Sequence, residues 1–137
     1  MALPRVFIQP QDFDLSTEMA ALRAGNAAVG AVCSFVGTVR DRNEGDAVAS
    51  MELEHYPGMT ETAISGMVGE AVARWSLSDA MVIHRYGPLK PGEAIMMVAT
   101  AAPHRGDAFA AAEFLMDYLK SRAPFWKKET GAGGEAW

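Results

Sequence analysis

Four basic side chains stand close together in a stretch of the sequence that contains no acidic residue. They are Lys120, Arg122, Lys127 and Lys128, in a chain whose formal net charge is −5. Pro124 lies among them and must end any helix that reaches it, because proline has no amide hydrogen for the next helical turn. A local reversal of charge favours an anionic ligand. The sequence therefore predicts an anion site at a sharp turn that follows a helix.

Two interpretations of this basic turn remain open. Cations at a helix C-terminus are also favoured by the helix dipole, so the turn is equally typical of a solvated helix end. The pair Phe125-Trp126 lies between the cations, and large aromatic groups at a turn must pack against something. These rings are expected either to form a pocket wall or to join the core.

A second candidate for anion binding is the segment Pro103-His104-Arg105-Gly106. It comes directly before a long predicted helix, where free backbone amides attract negative charge. Arg105 adds a bidentate donor, and His104 adds a group that titrates near neutral pH. The alternative is that Arg105 pairs with a surface acid. Arg40, after a strand that contains glycine, fits the same kind of site.

Other chemically capable residues are expected to be structural. His55 and His84 lie in or at the end of predicted strands, where a single histidine is usually a packed residue. Cys33 lies in an apolar strand and is interpreted as a small, inert, buried hydrophobe. The one cysteine and three histidines are not at metal-ligand spacing, and no phosphate-binding loop or dinucleotide fingerprint is present. We therefore expect no metal and no cofactor.

The composition is that of an ordinary globular protein. The 137 residues are 50% hydrophobic and 21% charged, which is typical of a single domain, here residues 1–137. No apolar run approaches the length of a membrane span, and the start lacks the pattern of a signal peptide. The acidic balance argues against nucleic acid as a partner. A cytoplasmic protein with neither a membrane nor a nucleic-acid partner is expected.

Hydrophobic periodicity predicts an α+β fold with helices packed on a mainly antiparallel sheet. Strands are expected at residues 5–9, 28–39, 48–55, 80–86 and 93–102. Helices are expected to begin at Asp14 or Ser16, at Thr60 and at Asp107. In the last helix the expected buried stripe is Phe109, Ala112, Met116 and Leu119. The strands at 80–86 and 93–102 are joined by a short loop, so they are expected to pair antiparallel.

Several segments of the chain resemble the molybdopterin synthase large subunit family. They are Gly37-Thr38-Val39-Arg40, Leu53-Glu54-His55-Tyr56-Pro57-Gly58-Met59-Thr60, Ile83-His84-Arg85-Tyr86-Gly87, Pro103-His104-Arg105 and the stretch from Met116 to Glu129. The resemblance spans nearly the whole chain. It implies an α/β hammerhead-like fold and an enzyme that converts cyclic pyranopterin monophosphate into the dithiolene molybdopterin, without a metal or an organic cofactor.

The resemblance also implies which residues act. It makes Lys120 and Lys127 catalytic, with Lys120 on the thiocarboxylate carbonyl and Lys127 on the pterin side. The substrate-binding residues that it implies are Thr38, Val39, Arg40, His104, Arg105, Lys120, Lys127, Lys128 and Glu129. Convergent cations fit this chemistry, because the substrate carries a phosphate and each sulfur transfer develops negative charge.

The implied partner is a small ubiquitin-like subunit whose C-terminal Gly-Gly ends in a thiocarboxylate. Two copies of the chain and two small subunits would form a heterotetramer around a homodimer. Helix geometry supports a shared site, since Arg105 and Lys120 are about 22 Å apart along one helix. A two-fold dimer would place these residues of different copies together, with an interface expected from the apolar strands between Ala80 and Ala102.

The sequence departs from the family pattern at two places. Some members have lysine where this chain has Thr38, and related chains often continue past the position of Trp137. An alternative function is a non-catalytic module that binds the tail of a ubiquitin-like carrier. A small phosphate-ester hydrolase is a third possibility, but no nucleophile or metal site for it is evident.

Overall fold

Nine strands and three helices make up the part of the chain that the computed structural model describes, residues 5–43, 46–131 and 134–136. The strands are β1 (Arg5–Gln9), β2 (Ala31–Thr38), β3 (Arg42–Asn43), β4 (Asp46–His55), β5 (Asp79–Arg85), β6 (Gly87–Leu89), β7 (Ala94–Ala102), β8 (Phe125–Gly131) and β9 (Gly134–Ala136). The helices are α1 (Leu15–Arg23), α2 (Met59–Trp75) and α3 (Arg105–Ser121). None of the described helices is long and apolar enough to cross a membrane. The predicted α+β class is confirmed.

A four-stranded sheet with the order β1-β5-β7-β2 forms the centre of the fold. β7 pairs antiparallel with both β5 and β2, which confirms the predicted β5–β7 pair. β1 pairs parallel with β5, so this sheet is mixed. The register between β2 and β7 shifts between Gly37 and Thr38. A methyl group on Gly37 would lie 3.3 Å from the sulfur of Met96.

A second, antiparallel sheet has the order β3-β4-β8-β9, with β6 also paired to β4. The mainly antiparallel character is thus confirmed, but the strands divide between two sheets where one was expected. Four strands, β3, β6, β8 and β9, were not predicted. β8 is the important omission, because it continues the chain from the basic turn along β4.

The core is arranged on both faces of the four-stranded sheet. Val82 and Val98 face α2 and α3, whereas Met81 and Met97 face α1. All seven residues of β5 are buried. Because the chain's own helices already cover these strands, the expected dimer interface between Ala80 and Ala102 is wrong.

In the predicted stripe of α3, Ala112 is buried and Met116 and Leu119 pack against the core, but Phe109 does not. Phe109 is 62% exposed, whereas Ala108, Ala111 and Leu115 are buried against the sheet and α2. Small side chains let the helix lie close to the sheet, so alanines rather than the phenylalanine fill the contact. The helix begins at Arg105 and not at Asp107, which lies in the first turn and favours the helix dipole there.

The start of α2 has an unexpected cap. Gly58 is the capping residue, with φ of 82°, a conformation that residues with a Cβ avoid. Its N–H donates to Glu61 Oε1 at 2.9 Å. Thr60, which the sequence suggested as the cap, lies inside the first turn and is completely buried. Its hydroxyl is therefore available for a different contact.

Candidate active site

A cleft of about 360 Å³ opens between the end of α3 and the start of β8. It is lined by Met51, Leu53, His84, Ile95, Leu119, Lys120, Ser121, Ala123, Phe125, Trp126 and Lys127. Lys120 comes from the last turn of α3 and Lys127 from β8, so one pocket receives a cation from each side of Pro124. The structure thus brings together the two lysines that the sequence analysis singled out as catalytic.

The turn between α3 and β8 is held by short backbone hydrogen bonds. The N–H groups of Arg122 and Ala123 both donate to Tyr118 O, at 2.8 and 3.0 Å, and Phe125 N–H donates to Ala123 O at 2.8 Å. From Phe125 onward the chain pairs with β4, where Lys127 lies opposite Leu53. The helix end and the strand are therefore fixed relative to each other by the backbone as well as by packing.

The aromatic pair serves both purposes that the sequence left open. Phe125 stacks on His84, with ring centroids 3.8 Å apart and planes 16° apart, and packs against the core. Trp126 is 40% exposed and lies 4.8 Å from the ring of Tyr56. Phe125 is thus anchored to the core, while Trp126 presents an indole surface beside the two lysines.

Val39 packs behind the cleft. Its side chain is buried with Met51 and Leu53, two residues that line the cleft. Its N–H donates to Glu93 O at 2.9 Å, and its carbonyl accepts from Gly92 N–H at 2.8 Å. Thr38 and Arg40 are exposed on either side of Val39. The backbone of this predicted binding segment is thereby tied to the start of β7.

His104 and Arg105 lie at the opposite end of α3 from the cleft. Both are exposed, and neither is among the residues that line the cleft. Arg105 begins the helix and Lys120 lies fifteen positions later, which corresponds to about 22 Å. Within one chain the structure therefore does not bring His104 and Arg105 to the two lysines.

Lys128 and Glu129 continue β8 beyond Lys127. Their backbones lie opposite Glu52 and Met51 of β4. Their side chains are outside the part of the structure that is described, so their predicted contacts with substrate stay predictions.

The two ion pairs formed among described side chains lie away from the cleft. They join Arg5 to Asp79 and Arg85 to Glu93, each at 3.1 Å. Within the described residues, neither pair uses a lysine of the cleft. Neither of these two pairs therefore neutralises the positive charge of the pocket.

His84 is a cleft residue that the sequence analysis set aside as structural. It is 6% exposed, and its Nδ1 lies 2.9 Å from the carbonyl oxygen of Arg85. The pKa of His84 is lowered to about 4, mainly by burial; the hydrogen bond to the Arg85 carbonyl opposes this shift and the nearby His55 adds to it. The ring is therefore neutral at pH 7, with Nδ1 as the donor. The sequence did not indicate His84 as a cleft residue, because it did not show that β5 is buried throughout its length.

We expect the buried His84 to make the protein less stable in mild acid. The unfolded chain binds a proton on this histidine below about pH 6.5, whereas the folded chain does not until about pH 4. The free energy of unfolding should therefore fall as pH drops through this window, by roughly 2 kcal/mol between pH 7 and pH 5. Urea unfolding at the two pH values measures it.

The matched variant is His84→Asn, whose side-chain amide can still donate to the Arg85 carbonyl but does not titrate. In this variant the free energy of unfolding should fall much less between pH 7 and pH 5 than in the wild type. An equal fall in both proteins would show that His84 is not its source.

Comparison with known proteins identifies the family and agrees with the fold. The profile of the MoaE protein family matches residues 8–122. A molybdopterin synthase catalytic subunit from Ralstonia nicotianae is 60% identical over 135 residues, which cover 98% of this chain and 77% of that protein. The chain belongs to the MoaE family.

Solved structures of MoaE relatives agree with this assignment. The molybdopterin biosynthesis MoaE protein from Burkholderia ambifaria MC40-6 is 57% identical, with a TM-score of 0.85 and coverage of 98% of this chain and 88% of that one. A complex of subunits 1 and 2 of molybdopterin-converting factor from Helicobacter pylori 26695 is 18% identical with a TM-score of 0.77, covers 98% and 89% of the two chains, and shows a shared fold.

Membership of the MoaE family confirms the resemblance found in the sequence. It also confirms the expectation of an enzyme in molybdopterin synthesis, since the curated relatives are catalytic subunits of molybdopterin synthase. The roles of individual residues are not fixed by this match and depend on the geometry of the cleft.

Proposed function

We propose that the chain transfers sulfur from the thiocarboxylated C-terminus of a small ubiquitin-like subunit to cyclic pyranopterin monophosphate, which forms the dithiolene of molybdopterin. The observation that carries the proposal is the convergence of Lys120 and Lys127 on one cleft beside Trp126. The proposal takes residues 1–137 as one catalytic domain and places the enzyme in the cytoplasm.

Lys120 acts on the thiocarboxylate and Lys127 on the pterin. When sulfur leaves the acyl carbon, water supplies the oxygen that replaces it, and the carrier ends as an ordinary carboxylate. Negative charge develops on the acyl oxygen during this exchange. An ammonium group held at that oxygen stabilises the transition state more than the ground state, which is how charge accelerates a reaction.

The carrier reaches the lysines through an extended tail that ends in Gly-Gly. Glycine lets a backbone pass close to protein side chains because it has no Cβ. The exposed face of Trp126 and the apolar side chains of Met51 and Leu53 offer that tail a wall and a floor. The rest of the small subunit then packs outside the cleft.

The working site combines two copies of the chain. Arg105 and His104 are too far from Lys120 within one copy to hold the same small substrate, so these residues come from the partner copy of a two-fold dimer. β2 is at an edge of the four-stranded sheet and exposes Phe35, which makes this edge a better interface than the buried strands β5 and β7. Two small subunits complete a heterotetramer.

Reconstitution with the purified small subunit tests the proposal. Thiocarboxylated small subunit and cyclic pyranopterin monophosphate should yield molybdopterin, whereas a small subunit without its last two glycines should bind far more weakly and transfer no sulfur. Calorimetry measures the binding, and fluorescence of the oxidised pterin measures the product. Undiminished binding by the shortened subunit would show that the tail is not the main recognition element.

The same reconstitution separates catalysis from simple docking. A module that only binds the carrier would bind both the thiocarboxylated and the ordinary small subunit and release no product from either. Absence of product with an intact, thiocarboxylated partner would overturn the proposed function.

A further inference from the structure

Thr60 makes a hydrogen-bond bridge between two segments that are far apart in the sequence. Its hydroxyl accepts from Tyr56 N–H at 3.0 Å and donates to the carbonyl oxygen of Pro124 at 3.2 Å. The residue is completely buried in the first turn of α2. One hydroxyl therefore joins the end of β4, the start of α2 and the turn that separates the two cleft lysines.

The position of this bridge follows from the register of β4 and β8. The last two ladder pairs are Glu54 opposite Trp126 and His55 opposite Phe125. One step further, Tyr56 would lie opposite Pro124. The hydroxyl of Thr60 links these two backbones.

The Thr60 bridge differs from a direct ladder bond. A direct bond would hold donor and acceptor about 2.9 Å apart. The bridge instead uses two bonds in series, of 3.0 and 3.2 Å. Pro124 has no N–H of its own, so it offers the ladder only this carbonyl.

The turn at Pro124 sets the relation between the catalytic lysines. Lys120 lies four residues before it and Lys127 three residues after it, and both line the cleft. Groups that stabilise developing charge must stay within about 0.5 Å of the productive geometry. A shift of the turn would move the two ammonium groups relative to each other.

We infer that Thr60 is a positioning residue for the sulfur-transfer site, whose bridging hydroxyl sets the separation of Lys120 and Lys127. Thr60 is not among the residues that line the cleft. The expected effect of Thr60 on catalysis rests on the proposed function. Its expected effect on the separation of Lys120 and Lys127 does not.

Thr60→Val tests the inference, because valine keeps the shape of threonine and removes the hydroxyl. We expect kcat for sulfur transfer per folded molecule to fall on the order of tenfold to a hundredfold, with little change in KM for the small subunit. Thr60→Ser retains the hydroxyl and should keep kcat near the wild-type value. If Thr60→Val does not fold, Thr60→Ala supplies the hydroxyl-free variant.

Thr100→Val is the matched control for lost stability. Thr100 is equally buried, and its hydroxyl donates to Ala108 O at 2.7 Å, far along α3 from the cleft. Its substitution should lower Tm by an amount comparable to Thr60→Val without the same loss of kcat. Equal losses of kcat in the two variants would assign the effect to stability and overturn the inference.

Cross-linking gives a readout that does not depend on activity. Amine-reactive linkers of graded length can join Lys120 to Lys127, and peptide mass spectrometry measures the yield for each length. The length profile should change in Thr60→Val and stay unchanged in Thr60→Ser. An unchanged profile and an unchanged kcat in the hydroxyl-free variant would overturn the positioning role. A changed profile without sulfur transfer by the wild type would instead refute the proposed function alone.

Discussion

Lys120→Ala should lower the rate of sulfur transfer by about a hundredfold to a thousandfold, the usual loss when one stabiliser of transition-state charge is removed. Lys120 is exposed in the last turn of α3, so its truncation opens no cavity in the core. Single-turnover formation of molybdopterin measures the rate. Thermal unfolding should show an essentially unchanged Tm, since exposed substitutions of this kind have small effects on stability.

Lys90→Ala is the control for the loss of one positive charge. Lys90 is exposed in the turn before β7 and does not line the cleft, so its removal should leave the rate unchanged. Lys127→Ala should show a severe but smaller loss than Lys120→Ala. Full activity of a folded Lys120→Ala protein would refute the catalytic assignment of this lysine.

Mixing two inactive proteins should restore activity if the site is shared between copies. In a mixed dimer of Arg105→Ala and Lys120→Ala chains, one cleft keeps its own Lys120 and receives an intact Arg105 from the other copy. Random exchange of equal amounts makes half of the dimers mixed, and each has one working cleft. Activity should therefore rise from background to about a quarter of the wild-type value.

A second mixture provides the control for this experiment. Lys120→Ala and Lys127→Ala each remove one lysine from a chain's own cleft. Both clefts of their mixed dimer are therefore defective, and no recovery is expected. Native mass spectrometry confirms that the subunits have exchanged. Absence of recovery with Arg105→Ala despite proven exchange would show that the site lies within one chain.

Local periodicity predicted the helices and strands that bury a regularly spaced set of apolar residues. The helix α2, in which Ile64 and Val68 are buried, and the pair formed by β5 and β7 were found as expected. These elements repeat their apolar residues at a fixed interval, which is visible without knowledge of their neighbours. The cleft lysines were equally visible, because they are the cations of a basic turn around Pro124.

The features that were missed depend on partners distant in the sequence. β8 follows a proline and carries Lys127 and Lys128, a pattern with little strand character of its own. It becomes a strand because β4, more than 70 positions earlier, offers it a free edge. Phe109 was assigned to the core for its hydrophobicity, although the alanines of α3 allow closer contact with the sheet.

The role of Thr60 was hidden for a similar reason. A threonine at the start of a helix is usually a cap, and the sequence shows no sign of the Pro124 carbonyl that its hydroxyl contacts. Only the folded structure shows that this hydroxyl links the end of β4 to the turn at Pro124.

The pairing of β4 with β8 also determines when the cleft comes into existence during synthesis of the protein. Ribosomes make a chain from its N-terminus, so β4 emerges long before β8 is available to pair with it. The four-stranded sheet contains no strand later than β7 and is complete in sequence before the turn at Pro124 is made. A nascent chain that lacks β8 therefore has no complete cleft, so the site forms only after Lys127 has been synthesised.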